Sequence, residues 1–194
     1  MLSKLADFLK SKTTIRFIFW VVVVLILILI VFTFGWWPVA FVNGSPVFAF
    51  EYRKATDLAY NYFVNYSKSD SDKEDLKEDS KKISLEGLID EVFIDRKLQS
   101  EMKSSELKNK INQQVSQMLS EEETRQLLLD LIRLPEKEVR HYFLEVQAKN
   151  QILDGRLRLE GKNLINWLIE QRKKAEVIIL LSDIEWTGEG IKFQ

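Results

Sequence analysis

The sequence contains no cysteine, only one histidine and almost no net charge, and each of these features excludes a class of protein. Without cysteine there is no disulfide framework, no iron–sulfur ligation and no thiol nucleophile. His141 alone cannot build a multi-histidine metal site or work with a second catalytic histidine. A formal charge of −1 is not the basic excess that marks most nucleic-acid-binding proteins. We therefore predict no catalytic residue, no metal, no cofactor and no nucleic-acid partner.

Charge is also missing from one long segment of the 194-residue chain. Residues 17–37 form an uncharged run of 21 residues, 16 of which are Phe, Ile, Val or Leu. As a helix this run would span about 31 Å, which matches the hydrocarbon core of a bilayer. We therefore predict a transmembrane signal anchor at 17–37. A cleaved signal peptide is the alternative, but the apolar core is long for one and no small-residue cleavage pattern follows it.

The charges that flank this run predict its orientation. Residues 1–16 carry four basic residues and one acidic residue, whereas 38–194 carry 24 basic and 28 acidic residues, a net charge of −4. The positive-inside rule predicts a single-pass protein of the cell membrane, with a cytoplasmic N-terminus at 1–16 and an extracytoplasmic domain at 38–194. The lipid bilayer is then a partner of 17–37. The predicted membrane-interface residues are Arg16, Trp36 and Trp37.

A short β element is predicted at each end of the domain 38–194. Val39–Val42 is β-prone, and Asn43-Gly44 favours the positive φ angles of a tight hairpin turn before the return strand Ser45–Phe48. Residues 175–181 have the pattern of a closing strand and are followed by an irregular tail. Because the amides and carbonyls of each strand need partners, we predict that the opening and closing strands pair with each other.

Between these strands the apolar residues recur with the period of a helix. The segment 67–82 interrupts this pattern with five basic and six acidic residues, which predicts a charged, solvated loop or a polar extension of a helix. The predicted fold class is mainly α, with a single transmembrane helix, a helical domain and a small β element. The predicted helices cover Ala49–Tyr66 and begin near Ser84, Ser105, Ser120, Pro135 and Asn163.

Three short motifs appear in this order along the domain. The first is Val39–Val47 with its Val42-Asn43-Gly44, followed by Phe50-Glu51-Tyr52; the second is Leu88-Ile89-Asp90-Glu91 with Leu98; the third is Trp167-Leu168 with Lys174–Ile178. In sequence and order they resemble the N-terminal chaperone domain of the SurA/PpiD/PrsA group of extracytoplasmic folding factors. Together the motifs cover most of residues 39–181.

This resemblance implies a chaperone of the holdase type in the bacterial envelope, which binds unfolded or nascent secreted polypeptides in an apolar groove between helices. Aromatic residues on the helices are the candidates for the client-binding surface, although aromatic residues at helical spacing belong more often to a core. A scaffold that binds one specific partner through its helices is the alternative. The candidate client-binding residues are Phe50, Tyr52, Tyr62, Phe63, Tyr66, Phe93, Tyr142 and Phe143.

The resemblance also implies a domain that this chain does not contain. Relatives often carry a parvulin-type prolyl isomerase domain between the long helix and the closing helix. Here only Leu159–Lys162 separate the two predicted helices, and the parvulin site uses more than one histidine. We therefore predict that the chain is not an enzyme, and that His141 is a surface or boundary residue.

Overall fold

The computed structural model describes residues 12–66, 73–120, 122, 125–126, 130 and 132–194. The chain divides into two compact units, Met1–Trp37 and Pro38–Gln194. The helices are α1 (Lys12–Phe34), α2 (Ala49–Tyr66), α3 (Lys73–Glu101), α4 (Ser104–Met118), α5 (Glu136–Val139), α6 (Glu145–Leu159) and α7 (Leu164–Lys174), with a π-helical turn at Arg140–Leu144 between α5 and α6. The strands are β1 (Pro38–Val42), β2 (Ser45–Phe48), β3 (Val177–Ile179), β4 (Ile184–Trp186) and β5 (Ile191–Phe193).

Helix α1 ends at Phe34 because Gly35 adopts a left-handed conformation, with a φ of 72°. The N–H of Trp36 donates to the carbonyl of Val31 (3.0 Å), and the N–H of Gly35 donates to the carbonyl of Phe32 (3.3 Å). This pair of bonds is the Schellman motif, which satisfies carbonyls that a helix end leaves unpaired. The uncharged part of the helix therefore stops three residues short of the predicted 17–37.

The prediction of a transmembrane segment is wrong. Among the residues that the structure describes, no helix has both the length and the apolarity needed to cross a membrane. This finding contradicts the transmembrane helix of the predicted fold class and the single-pass localisation. The predicted interface role of Arg16, Trp36 and Trp37 depended on that helix and stays a prediction. The architecture is mainly helical with a few short antiparallel strands.

Three strands of the second unit form an antiparallel sheet in the order β2-β1-β3. The predicted hairpin turn is present, with φ angles of 48° at Asn43 and 82° at Gly44. The predicted pairing of the opening and closing strands is confirmed, with Phe41 opposite Ile178. Asn43 strengthens this pairing because its N–H donates to the carbonyl of Glu176 (2.8 Å) and its Oδ1 accepts from the N–H of Glu176 (2.9 Å).

The C-terminal tail is a hairpin and not an irregular segment as predicted. Strands β4 and β5 pair antiparallel, and Gly188 supplies a φ of 86° in the turn between them. Ile184 and Ile191 are both buried, which gives the hairpin an apolar face to pack. The N–H of Ile191 also donates to Oε1 of Glu86 on α3 (2.8 Å). The tail is therefore tied to the longest helix of the unit.

Helix α3 begins at Lys73, inside the charged segment 67–82. Of the two predicted alternatives, residues 73–82 therefore form the polar helix extension and not the loop. Residues 67–72 lie outside the described part of the chain. Glu74 and Asp75 lie in the first turn, where negative charge favourably opposes the helix dipole. Further along, Ser80 is fully buried and its hydroxyl donates to the carbonyl of Leu76. Packing against the rest of the unit therefore begins within this charged sequence.

The hydrophobic core lies along the C-terminal half of α3, where α4, α6 and α7 pack against it. Arg172 on α7 also joins α3 through a bidentate ion pair with Asp90, with nitrogen–oxygen distances of 2.7 and 2.6 Å. The central cluster consists of Ile94, Leu98, Met102, Leu107, Leu153 and Leu157, and a second cluster consists of Val115, Leu144 and Ala148.

Candidate functional site

Four of the eight candidate client-binding residues line one apolar cavity of about 460 Å³. Tyr62 and Phe63 come from α2, and Tyr142 and Phe143 come from the π-helical turn. All four side chains are half-buried, and the rings of Tyr62 and Phe63 meet edge to face with centroids 6.0 Å apart. The structure therefore brings these four residues together on one surface, and their role in client binding stays a prediction.

The other four candidates do not line this cavity. Phe93 is 4% exposed and belongs to the core, so its predicted role in client binding is wrong. Tyr66 is exposed and stacks on Tyr62, with centroids 5.4 Å apart. Phe50 stacks on Phe48. Tyr52 is half-buried, and its burial together with the charge of Asp183 raises the pKa of its hydroxyl to about 12. The aromatic pattern alone did not separate these environments.

Helix α3 forms one wall of the cavity with Ser84, Gly87, Leu88 and Glu91. Their spacing of i, i+3, i+4 and i+7 places them on one face of the helix. Gly87 is exposed, and a Cβ atom built on it would meet no atom within 4 Å. The absence of a side chain at this position therefore keeps the cavity open.

The π-helical turn supplies three consecutive lining residues, His141, Tyr142 and Phe143. Its defining bond is the donation from the N–H of Glu145 to the carbonyl of Arg140, five residues earlier. Arg140 also donates to Oδ1 of Asn112 on α4 (2.9 Å), which attaches the turn to the rest of the unit. Turns of this type occur often at functional sites because they change the direction of side chains within a helix.

A second cavity of about 330 Å³ adjoins the first and shares with it Leu88, Glu91, Tyr142 and Val146. We call the two together the groove, with an apolar cavity and an acidic cavity. Within the acidic cavity, Lys149 on α6 lies 2.7 Å from Glu91 and 2.9 Å from Asp95 on α3. Burial opposes the charge on Lys149, but the two carboxylates outweigh it and raise the pKa of the ammonium group.

Glu51 lies in the acidic cavity at the start of α2. Its Oε2 accepts from the N–H of Phe48 (3.1 Å), and no ion pair to it is present in the described residues. Burial, reinforced by the charge of Glu91, raises the pKa of Glu51. Burial and the charge of Glu51 in turn raise the pKa of the Tyr142 hydroxyl. The negative charge of the groove is therefore only partly compensated from within the protein.

The groove has the chemistry of a binding surface. His141, at its edge, has a side chain that is 63% exposed, as predicted for a surface residue, with Nδ1 3.1 Å from Oε2 of Glu145. In the described part of the chain, no group of three or more His, Asp or Glu side chains is placed to hold a metal ion. Half-buried aromatic rings beside a set of charged groups suit contacts with an apolar ligand that also carries charge.

Several groove residues were not singled out as site residues from the sequence, among them Ser84, Gly87 and Lys149 and the three carboxylates Glu51, Glu91 and Asp95. Ser84 and Gly87 share a helical face with Glu91, and small residues between apolar ones on one face are a signal of a groove that the sequence does contain. Lys149 has no comparable signal, because its two partners lie 54 and 58 residues away in the sequence.

We compared the chain with models of protein families, with curated proteins and with solved structures, and none of them matches. The function is therefore inferred from the groove.

Proposed function

We propose that this protein is a chaperone of the holdase type, which binds apolar segments of unfolded polypeptides in the groove. The observation that carries this proposal is that four aromatic side chains, on α2 and on the π-helical turn, remain half-exposed around an open cavity. Unfolded proteins expose apolar side chains that folded proteins bury, and such a cavity can receive them.

The expected affinity of one such contact suits reversible holding. Burying one Leu or Phe side chain contributes about 1.5–3 kcal/mol, and binding also costs ordering entropy. A dissociation constant of 1 mM corresponds to about 4 kcal/mol, so one occupied cavity gives weak binding. Broad binding of many sequences needs an adaptable apolar surface without exact polar recognition, which half-exposed aromatic side chains provide.

The resemblance of the sequence motifs to the SurA/PpiD/PrsA group supports the same proposal. In that reading, Val42-Asn43-Gly44 is the family's opening hairpin, and the helix-strand segment from Trp167 to Ile178 is its closing element. We propose no isomerase step, since His141 is the only histidine in the chain.

The proposal is tested by filling the cavity without damaging the helix. In Gly87→Leu, the new side chain starts in open space and projects into the cavity. Leucine also has a higher helix propensity than glycine, by about 0.8 kcal/mol, so the variant should remain folded. The matched control is Gly155→Leu on α6, where a Cβ also meets nothing within 4 Å and which does not line the groove.

The assay measures how the full chain and each variant suppress the aggregation of several unrelated denatured proteins. We expect suppression by the wild-type chain and by Gly155→Leu, and its loss in Gly87→Leu. The exposed apolar side chains of α1 can also contact denatured proteins, but they are the same in the wild-type chain and in both variants. A difference between Gly87→Leu and Gly155→Leu therefore reports on the groove. Equal suppression by all three would assign client binding to another surface, and suppression of none of the clients would contradict the proposal.

A further inference from the structure

The two cavities of the groove are adjacent but differ in chemistry. The apolar cavity is lined mainly by aromatic and aliphatic side chains, whereas the acidic cavity contains Glu51, Glu91, Asp95 and one cation, Lys149. Counting His141 as neutral, the acidic cavity carries a formal charge of −2. A ligand that enters both cavities therefore meets an apolar surface first and an excess of carboxylate next to it.

Glu51 is the carboxylate of the acidic cavity whose negative charge is least compensated by a neighbouring cation. Glu91 and Asp95 both form ion pairs with Lys149, whereas no ion pair to Glu51 is present in the described residues. A cationic side chain from a ligand would place an opposite charge beside a half-buried carboxylate, where the attraction is screened less than on an open surface.

Ser84 supplies an independent indication of a ligand. It lines the apolar cavity, is 94% buried with 6% of its surface exposed, and its Oγ has no hydrogen-bond partner in the structure. Ser80, one turn earlier on the same helix, is also buried, but its hydroxyl donates to the carbonyl of Leu76. Buried hydroxyl groups are almost always hydrogen-bonded, so the unpaired hydroxyl of Ser84 lacks a partner that a bound ligand can provide.

We propose that the groove selects extended polypeptide segments in which an apolar side chain is followed, two residues later, by Lys or Arg. The apolar side chain fills the apolar cavity, the peptide backbone takes the hydrogen bond of Ser84, and the cation reaches Glu51. Residues i and i+2 of an extended segment point to the same side, so one segment can enter both adjoining cavities. This inference rests on the proposed function and specifies its substrate class.

The test uses three short fluorescent peptides with the same phenylalanine anchor and Lys, Gln or Glu two residues after it. Their binding to the full chain is measured by fluorescence anisotropy. We expect the Lys peptide to bind about fivefold more tightly than the Gln peptide, and the Glu peptide to bind most weakly. Added salt should reduce these differences because it screens charge.

Two substitutions separate the parts of the proposal. Glu51→Gln should abolish the preference for the Lys peptide, whereas Glu106→Gln, on the exposed surface of α4, removes the same charge away from the groove and should preserve it. Ser84→Ala should weaken all three peptides by a similar factor of about threefold, since it removes a contact to the backbone.

The outcomes distinguish this inference from the proposed function. Equal binding of all three peptides, with loss of binding in Gly87→Leu, would overturn the charge preference and leave the chaperone proposal intact. A Lys preference that survives in Glu51→Gln would also overturn the inference. If none of the peptides binds, both the inference and the proposed function are overturned.

Discussion

Helices α2 and α6 both carry apolar residues at helical spacing, but they use them differently. Along α6, Ala148, Leu153 and Leu157 are fully buried, whereas along α2 only Ala49 is buried. The side chains of α2 that face α3, including Phe63, are half-buried around an open cavity. The comparison shows that helical periodicity identifies a face that contacts another element, but not whether the contact is closed as a core or left open as a groove.

The largest expected difference between the two helices is in the free energy of unfolding that is lost when one apolar side chain of each is truncated. Leu153→Ala should lower the free energy of unfolding by about 2–5 kcal/mol, because it removes buried atoms and leaves a cavity in the core. Phe63→Ala should cost only about 1 kcal/mol, because its ring is already half-exposed and its removal enlarges an existing space. Urea denaturation followed by circular dichroism measures both values. Equal losses would show that the groove is part of the core.

A smaller effect is expected at the boundary between the two regions, where Lys149 joins α6 to α3. Lys149→Met leaves Glu91 and Asp95 without their cation, and should cost about 2 kcal/mol at pH 7, less than the 3–5 kcal/mol of a fully buried pair. Burial already raises the pKa of Asp95 against the influence of Lys149. Without the cation that pKa should rise further.

The pH dependence of this variant follows from the same carboxylates. A buried acid whose pKa is raised binds a proton more readily in the folded chain than in the unfolded one, so that stability falls as pH rises through its folded pKa. The difference between Lys149→Met and the wild-type chain should therefore shrink as the pH falls towards the ordinary carboxyl range. A difference that stays constant across this range would show that the loss comes from packing of the lysine stem.

Much of the fold was predictable because its signals are local. Asn43-Gly44 specifies a turn with positive φ at both positions. The need of two isolated strands for partners predicts that the opening and closing strands pair, as β1 and β3 do. The position at which α1 ends depends on Gly35, and the 17–37 run was treated as uniform although this glycine lies within it. The start of α3 at Lys73 was left open because its charged sequence fits a loop equally well.

The site was predictable only in part, for a physical reason. Tyr62 and Phe143 lie on different helices, and their meeting depends on how α2 and the π-helical turn pack on α3. Phe93 has the same aromatic character but points into the core. Local periodicity does not contain the angle between helices, and no residue pattern in this sequence signals a π-helical turn at Arg140–Leu144.

The smallest effect is expected at Glu51, the carboxylate of the groove without an ion pair in the described residues. Burial raises the pKa of Glu51 from its ordinary value of 4.5, so that the folded chain binds the proton more tightly than the unfolded chain. Stability is then lost as the pH rises from about 4.5 through the folded pKa. Glu51→Gln removes this charge, while its amide oxygen can still accept the hydrogen bond from the N–H of Phe48.

We therefore expect Glu51→Gln to be more stable than the wild-type chain at pH 7, by less than about 1 kcal/mol because solvent screens a half-exposed group. Below pH 4.5 the two chains should have the same stability, and Glu106→Gln should show no such gain at either pH. Urea denaturation at both pH values measures this difference. A less stable Glu51→Gln at pH 7 would show that the carboxylate stabilises the first turn of α2 through the helix dipole more than its burial destabilises it. In that case the charge of the groove serves the fold, whereas a gain in stability would mean that the groove keeps a carboxylate at the expense of the fold, as expected of a residue that binds a ligand.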